Sequence, residues 1–196
     1  MTSDREPVDP LVEHFDRLHA DGADPWDLSS SWYERRKQVL TVAALPRQRY
    51  RSAFEPGCSV GALTELLAPR CDQLLAADAA TNAVESSRSR MTGHRNVTVE
   101  RRHLPGEWPS GPFDLVVLSD FGYYLDAAAL AATLERLVAS AESGATVLAV
   151  HWRRVASDFR LAGGDDVHSR LHRRPELAPI AHYEENEFVL DVWERT

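Results

Sequence analysis

The spacing of apolar residues changes near residue 49. Upstream, Leu11, Val12, Phe15 and Leu18 recur at helical intervals, which predicts a helix over 11–20. A loop rich in turn residues follows, DGADPWDLSSS. Ser30 or Ser31 is then placed to cap a helix carrying WYERRKQVLTVAAL, which stops before Pro46. Residues 1 to about 10 combine prolines and charges and read as a disordered tail. Residues 1–48 therefore read as an N-terminal helical arm or lid.

Downstream, short apolar runs alternate with helical stretches. The runs are 51–55, 73–77 (ending at Asp78), the alternating VTVER of 97–101, FDLVVLS of 113–119 and ATVLAV of 145–150. Helices are expected from 62 to 67, 81 to 91 and 127 to 141, with Gly144 ending the last. Strands alternating with helices imply parallel βαβ units, and apolar strands imply a sheet covered on both faces. The tail breaks this rhythm. A helix over about 165–171 precedes APIAHYEENEFVLDVWER, which reads as an antiparallel hairpin joined at Glu185-Asn186. The expected fold over 49–196 is α/β: a mostly parallel sheet with helices on both faces and a C-terminal antiparallel hairpin.

Composition narrows the function. The 196 residues carry a formal charge of −8, so broad contact with nucleic acid is disfavoured. The mildly basic run Arg170–Arg174 reads as a solvated helix end. Cys58 and Cys71 are too few for a disulfide framework or a zinc site, which suits a reducing compartment. No run of 18 apolar residues predicts a membrane span, and the polar, acidic start lacks the core of a signal peptide. A cytoplasmic protein is expected. Nothing in the pattern sets an oligomeric state.

The chemistry concentrates at FEPGCSVGALTELLAP, residues 54–69. The spacing Glu55-x-Gly57-x-Ser59-x-Gly61 sits between an expected strand and helix. A dinucleotide loop brings pyrophosphate to a helix N-terminus. Glu55 would repel pyrophosphate and would suit a cofactor with cationic groups. Gly57 is expected to supply unusual backbone angles, and Gly61 to let the helix pack close to ligand or strand. Cys58 reads as a small filler. Asp78, at the end of the next strand, can accept both hydroxyls of a ribose or cap the following helix. Two carboxylates at successive strand ends favour a nucleoside site.

These residues, with FDLVVLSDFGYYL, resemble class I S-adenosylmethionine-dependent methyltransferases over about residues 50–196. Ser59 stands where a middle glycine is usual. GCSVGALTELLAP, FDLVVLSDFGYYL and the upstream DPW and YE resemble the nodulation protein S-like branch, which includes N-methyltransferases of de-N-acetylated chito-oligosaccharides. The resemblance implies a Rossmann-like, seven-stranded sheet whose hairpin supplies the sixth and seventh strands. It implies S-adenosyl-L-methionine as cofactor and a small-molecule acceptor.

By that resemblance Glu55, Gly57, Ser59 and Gly61 face the methionine part, Asp78 the ribose, and Ala79 the adenine. His103 stands where an Asp often meets the adenine amine, and Leu104 offers a backbone N–H. Ser119 and Asp120 lie beside the transferred methyl. Trp26, Tyr33 and Arg36 of the lid cover the cofactor, with Arg36 pairing its carboxylate. Trp32 reads as packing on the sheet. His151 and Asp120 are the candidate catalytic groups, since an amine acceptor must lose a proton. Tyr123, Tyr124, Trp152 and His168 are candidates for the acceptor. Asp165, Asp166 and His168 lack further ligands at metal spacing, so no metal is expected. Oxygen methylation, a non-catalytic cofactor-binding module and a nicotinamide-dependent reductase are the competing readings. Glu55 and the hairpin weigh against the last.

Overall fold

The computed structural model describes residues 10–21, 24–158, 160, 161 and 163–196. The expected disordered tail lies, over 1–9, outside the described residues. The strands are β1 (Tyr50–Pro56), β2 (Cys71–Asp78), β3 (Val97–Arg101), β4 (Phe113–Ser119), β5 (Ala141–Trp152), β6 (Leu177–Glu184) and β7 (Phe188–Arg195). The helices are α1 (Pro10–Asp21), α2 (Trp32–Ala43), α3 (Ala62–Leu67), α4 (Thr81–Arg90), α5 (Ala127–Ser140) and α6 (Gly164–His172). Among the described residues they build one seven-stranded sheet ordered β3-β2-β1-β4-β5-β7-β6. The first five strands pair in parallel, and β7 runs antiparallel to both β5 and β6. This is the expected Rossmann-like sheet with its terminal hairpin.

Alternation along the strands explains the layering. Val116 and Leu118 of β4 join Val147, Ala149 and Trp193 beneath Leu130, Leu134 and Leu137 of α5 and Val167 and Leu171 of α6. Leu115 and Val117 join Leu148, Val150, Leu190 and Val192 on the other face, under Leu63 and Leu67 of α3 and Leu40 of α2. Both faces of β4 are buried, so its run is continuously apolar. The chain leaves β1 toward β2 and β3, then returns to place β4 on the other side of β1. Loops diverge at that reversal and open a crevice at the strands' carboxyl ends.

Local signals set the helix ends. Ser31 accepts the N–H of Glu34 at 3.5 Å, and Asp126 accepts that of Ala129 at 2.8 Å. Two expectations change. Gly144 does not end a helix: α5 stops at Ser140, and Gly144 lies inside β5 with φ +79°, within the register jump that carries β4's partners from Ala141 to Thr146. That jump is a bulge, and a left-handed residue suits it. Trp32 does not pack on the sheet. It is 76% exposed, with the Arg36 guanidinium 5.9 Å from its ring centre, while its neighbour Tyr33 turns inward against Phe188. No described helix is long and apolar enough to cross a membrane.

Gly61 begins α3 at φ +78°, and a Cβ there would lie 2.6 Å from Oγ of Ser87 on α4. Its smallness thus serves helix-to-helix packing rather than approach to a ligand or strand. Gly61→Ala should destabilise the fold by about 2 kcal/mol, combining backbone strain with the clash. Adding Ser87→Ala should recover part of the loss, leaving the backbone share; full additivity in urea unfolding would refute the contact.

Candidate functional site

The crevice is a cavity of about 640 Å³ at the ends of β1, β2, β3, β4 and β5, roofed by α1 and α2. Its floor is the loop after β1. Gly57 and Ser59 both take left-handed angles there, φ +73° and +46°. A Cβ on Gly57 would meet Phe121 Cδ2 at 2.8 Å, so the close approach of the two loops requires glycine. Ser59 adopts a geometry that costs a non-glycine residue about 1–2 kcal/mol. Asp78 offsets this: its Oδ2 accepts the Ser59 N–H at 2.9 Å while Oδ1 accepts the Ala80 N–H at 2.9 Å. Ala80 takes the N-cap position of α4 with no side-chain bond, so Asp78 braces the loop rather than capping the helix.

Glu55 ends β1 and is fully enclosed, with Thr64 Oγ1 donating to it at 2.6 Å. Burial drives its pKa up to about 8; the Thr64 hydrogen bond works against that, and the Asp78 charge adds to it. Burial also raises Asp78, against its backbone hydrogen bonds. Two carboxyls therefore share one wall, and among the described residues neither is paired with a lysine or arginine. Ser59 Oγ, Tyr33 OH and His19 Nδ1 are buried cavity-lining atoms that lack hydrogen-bond partners within the described residues. Buried polar atoms ordinarily find partners. Hydroxyls and amines of a ligand would supply them, and the carboxyl pair would balance a cationic group. The donor set fits a nucleoside-bearing cation.

Ala79, His103 and Leu104 line the next part of the wall, and Ser119 and Asp120 the end of β4. Asp120, at φ +46°, is a hub. Its Oδ1 accepts Tyr123 OH at 2.8 Å and Trp152 N–H at 2.7 Å, and its Oδ2 meets Lys37 Nζ at 2.5 Å. Lys37 is buried and also holds Glu34 at 3.0 Å. Burial would raise the Asp120 pKa, but Lys37 and the hydrogen bonds prevail and hold it low. Burial would likewise lower the Lys37 pKa, and its two carboxylates reverse the direction. Burial raises Glu34, with Lys37 opposing. Tyr123, Tyr124 and Trp152 line the cavity around Asp120. Trp26 and Tyr33 line the roof, where Phe15 meets Tyr124 edge-on at 4.9 Å.

Four expected residues lie elsewhere. Arg36 projects from α2 to Glu185 and Tyr183 on the hairpin, with bonds of 2.8 to 2.9 Å. One residue along the helix turns the side chain by about 100°, so Lys37 takes the inward face instead. Gly61 packs on α4, as above. His151 follows Val147 and Ala149 on the face under α5 and α6, so it is wholly buried beside the cavity wall. Its Nε2 accepts the Gly122 N–H at 3.3 Å, and burial, with His168 next, pushes its pKa down to about 3. It is not placed to take a proton from an acceptor. His168 is buried on the inner face of α6, bonded to His151 and Asp191. Lys37 and Glu34 went unnoticed in the sequence, where Glu-x-x-Lys in a helix resembles an ordinary surface pair.

A family model described as Nodulation protein S (NodS) matches residues 11–157. The chain is similar to nodulation protein S of Sinorhizobium fredii (strain NBRC 101917 / NGR234), 34% identical over 135 residues, 65% of this chain and 61% of that one. It is 31% identical over 103 residues to nodulation protein S of Rhizobium tropici, 52% of this chain and 43% of that one. The matched stretches thus span roughly half the length of these curated relatives. A crystal structure of a candidate methyltransferase from Pseudomonas syringae shares 42% identity and a TM-score of 0.75, covering 84% of this chain and all (100%) of that one. The N-methyltransferase NodS of Bradyrhizobium japonicum WM9, in complex with S-adenosyl-L-homocysteine, superposes with a TM-score of 0.82 at 21% identity, covering 95% and 99%. That last likeness is one of fold.

The raised Glu55 pKa fixes a sign. The folded protein keeps a proton that the unfolded chain releases near 4.5, so stability is complete below that value and falls as pH rises toward about 8. Glu55→Gln should remove this decline, and its advantage over the parent should grow between pH 5 and 8.5 in urea unfolding. A difference independent of pH would show that Glu55 is not held protonated.

Proposed function

We propose, for a chain that belongs to the nodulation protein S family, that it transfers the methyl group of S-adenosyl-L-methionine to an amine of a small acceptor of the amino-sugar or oligosaccharide class. The observation that carries this reading is the pair Glu55 and Asp78 on one cavity, braced through the Ser59 N–H. The NodS relative in complex with S-adenosyl-L-homocysteine supports the cofactor, and the family supports the acceptor class.

Asp78 has one oxygen lone pair left on each side for the ribose hydroxyls, and Ala79, His103 and Leu104 flank the base. Glu55, Ser59 Oγ and the loop backbone receive the methionine part, whose positive charge draws Glu55 into its ionised form. The helices α1 and α2, with the described loop before α2, act as the lid, contributing Trp26 and Tyr33. When bound, S-adenosyl-L-methionine supplies a methyl group already activated on a sulfonium. The protein's remaining work is alignment and exclusion of water. Tyr123, Tyr124 and Trp152 offer faces for a sugar, with Ser119 beside the methyl. Asp120, kept anionic and tied to Lys37, holds the acceptor's ammonium end. Glu34 takes its proton, being the better base because burial lifts its pKa while that of Asp120 stays low. A cytoplasmic setting accords with the buried free thiols of Cys58 and Cys71.

Calorimetry should show S-adenosyl-L-homocysteine binding and no comparable NAD binding; the reverse would end the methyltransferase reading. Asp78→Ala should weaken S-adenosyl-L-homocysteine at least tenfold, about 1.4 kcal/mol. Unchanged affinity would leave Asp78 a loop brace only. Methyl transfer should require a free amine on glucosamine oligomers, and equal transfer to their N-acetylated forms would mean oxygen methylation. With such an acceptor, Glu34→Gln should cut turnover at least tenfold at pH 7 and regain it at higher pH, where the amine is already neutral. Equal loss at every pH would remove Glu34 from proton transfer.

A further inference from the structure

On the far side of β5 from the cavity, three elements bring side chains together that the sequence keeps apart. His172 is the last residue of α6, His182 lies on β6, and Asp191 lies directly opposite His182 on β7. His172 Nε2 stands 3.3 Å from Asp191 Oδ2, and His182 Nδ1 stands 2.7 Å from Asp191 Oδ1. One donor atom from each of the three falls within 4.8 Å of the others. Tetrahedral coordination at the usual zinc bond lengths separates donors by about 3.3 Å. The histidines are 43% and 53% exposed in their side chains while Asp191 is 2% exposed, so a fixed carboxylate faces two imidazoles that can adjust and that solvent ions can reach.

The ligands also have the partners that metal sites need. Glu184 lies 3.3 Å from His182 Nε2. In the metal-free protein His182 Nδ1–H donates to Asp191; an ion would displace that proton to solvent, while an Nε2–H directed at Glu184 holds the ring in the ligating orientation. His168, one helical turn before His172, holds Asp191 Oδ2 at 2.6 Å from the buried side and fixes the carboxylate's orientation. We propose that His172, His182 and Asp191 form a site for a divalent transition metal of the zinc class, with solvent completing the coordination. Two imidazoles and one carboxylate are a borderline-soft donor set suited to zinc rather than to magnesium or calcium. The ion would clamp α6 to the hairpin. Zinc binding is independent of the cofactor reading, so either can fail alone.

The test uses the full chain without a histidine tag, stripped with chelator, in zinc titration calorimetry and thermal unfolding at pH 7.5. We expect one equivalent bound at micromolar affinity or tighter and a melting temperature raised by several degrees. His172→Ala and His182→Ala should each weaken zinc at least tenfold and remove the thermal shift. His182→Gln keeps a hydrogen-bonding side chain beside Asp191 but has no imidazole; it should fold with the parent's metal-free melting temperature and still lose zinc. Cobalt should give the intense visible bands of tetrahedral coordination in the parent only. No zinc binding by the parent, or undiminished binding by His172→Ala/His182→Ala, overturns the site.

Discussion

A carboxylate taken out of water must find hydrogen-bond donors, and Asp78 finds them in two backbone N–H groups, one from its own turn and one from the loop beyond β1. That demand ties two strand ends together and holds Ser59 in a conformation it would otherwise leave. Around the fixed loop the rest follows. Gly57 can approach Phe121, the cavity floor stays low, and Glu55 stays on the cavity wall with Thr64 donating to it.

The roof is bound by charge rather than by apolar area alone. Lys37 enters the interior only because Asp120 and Glu34 accept it there, and breaking one partner would leave a buried ion uncompensated. Asp120 in turn positions Tyr123 and Trp152. The cavity wall around Asp120 and the helix α2 above it are therefore parts of one polar network. Beside it, with its ring 5.5 Å from that of Tyr123, His151 extends a chain of imidazoles from Gly122 through His168 to Asp191.

The sheet was legible because buried parallel strands leave dense apolar runs, and the hairpin because its turn residues interrupt an alternating stretch. The loop after β1 was legible because acid and glycine alternate there at a fixed spacing. Gly144 misled, since a glycine after a helix and a glycine in a bulge look alike until the pairing register is known. Direction was the harder matter. Arg36 and Lys37 are neighbours with similar chemistry, and only the packing of α2 decides which of them turns inward. His151 stands at a strand end, where crevice residues are expected, yet the alternation inherited from Val147 and Ala149 sends it beneath the neighbouring helices. The three side chains around Asp191 come from a helix and two strands, so no spacing in the chain announces them.

Arg36 grips Glu185 across a sequence separation of 149 residues. Its consequence is kinetic. Closing so long a loop is entropically unfavourable until the intervening sheet has formed, so this clasp belongs among the last contacts made in folding and the first released in opening. The roof over the cavity then assembles only on a finished sheet, and a chain caught midway would show a formed core with its crevice uncovered.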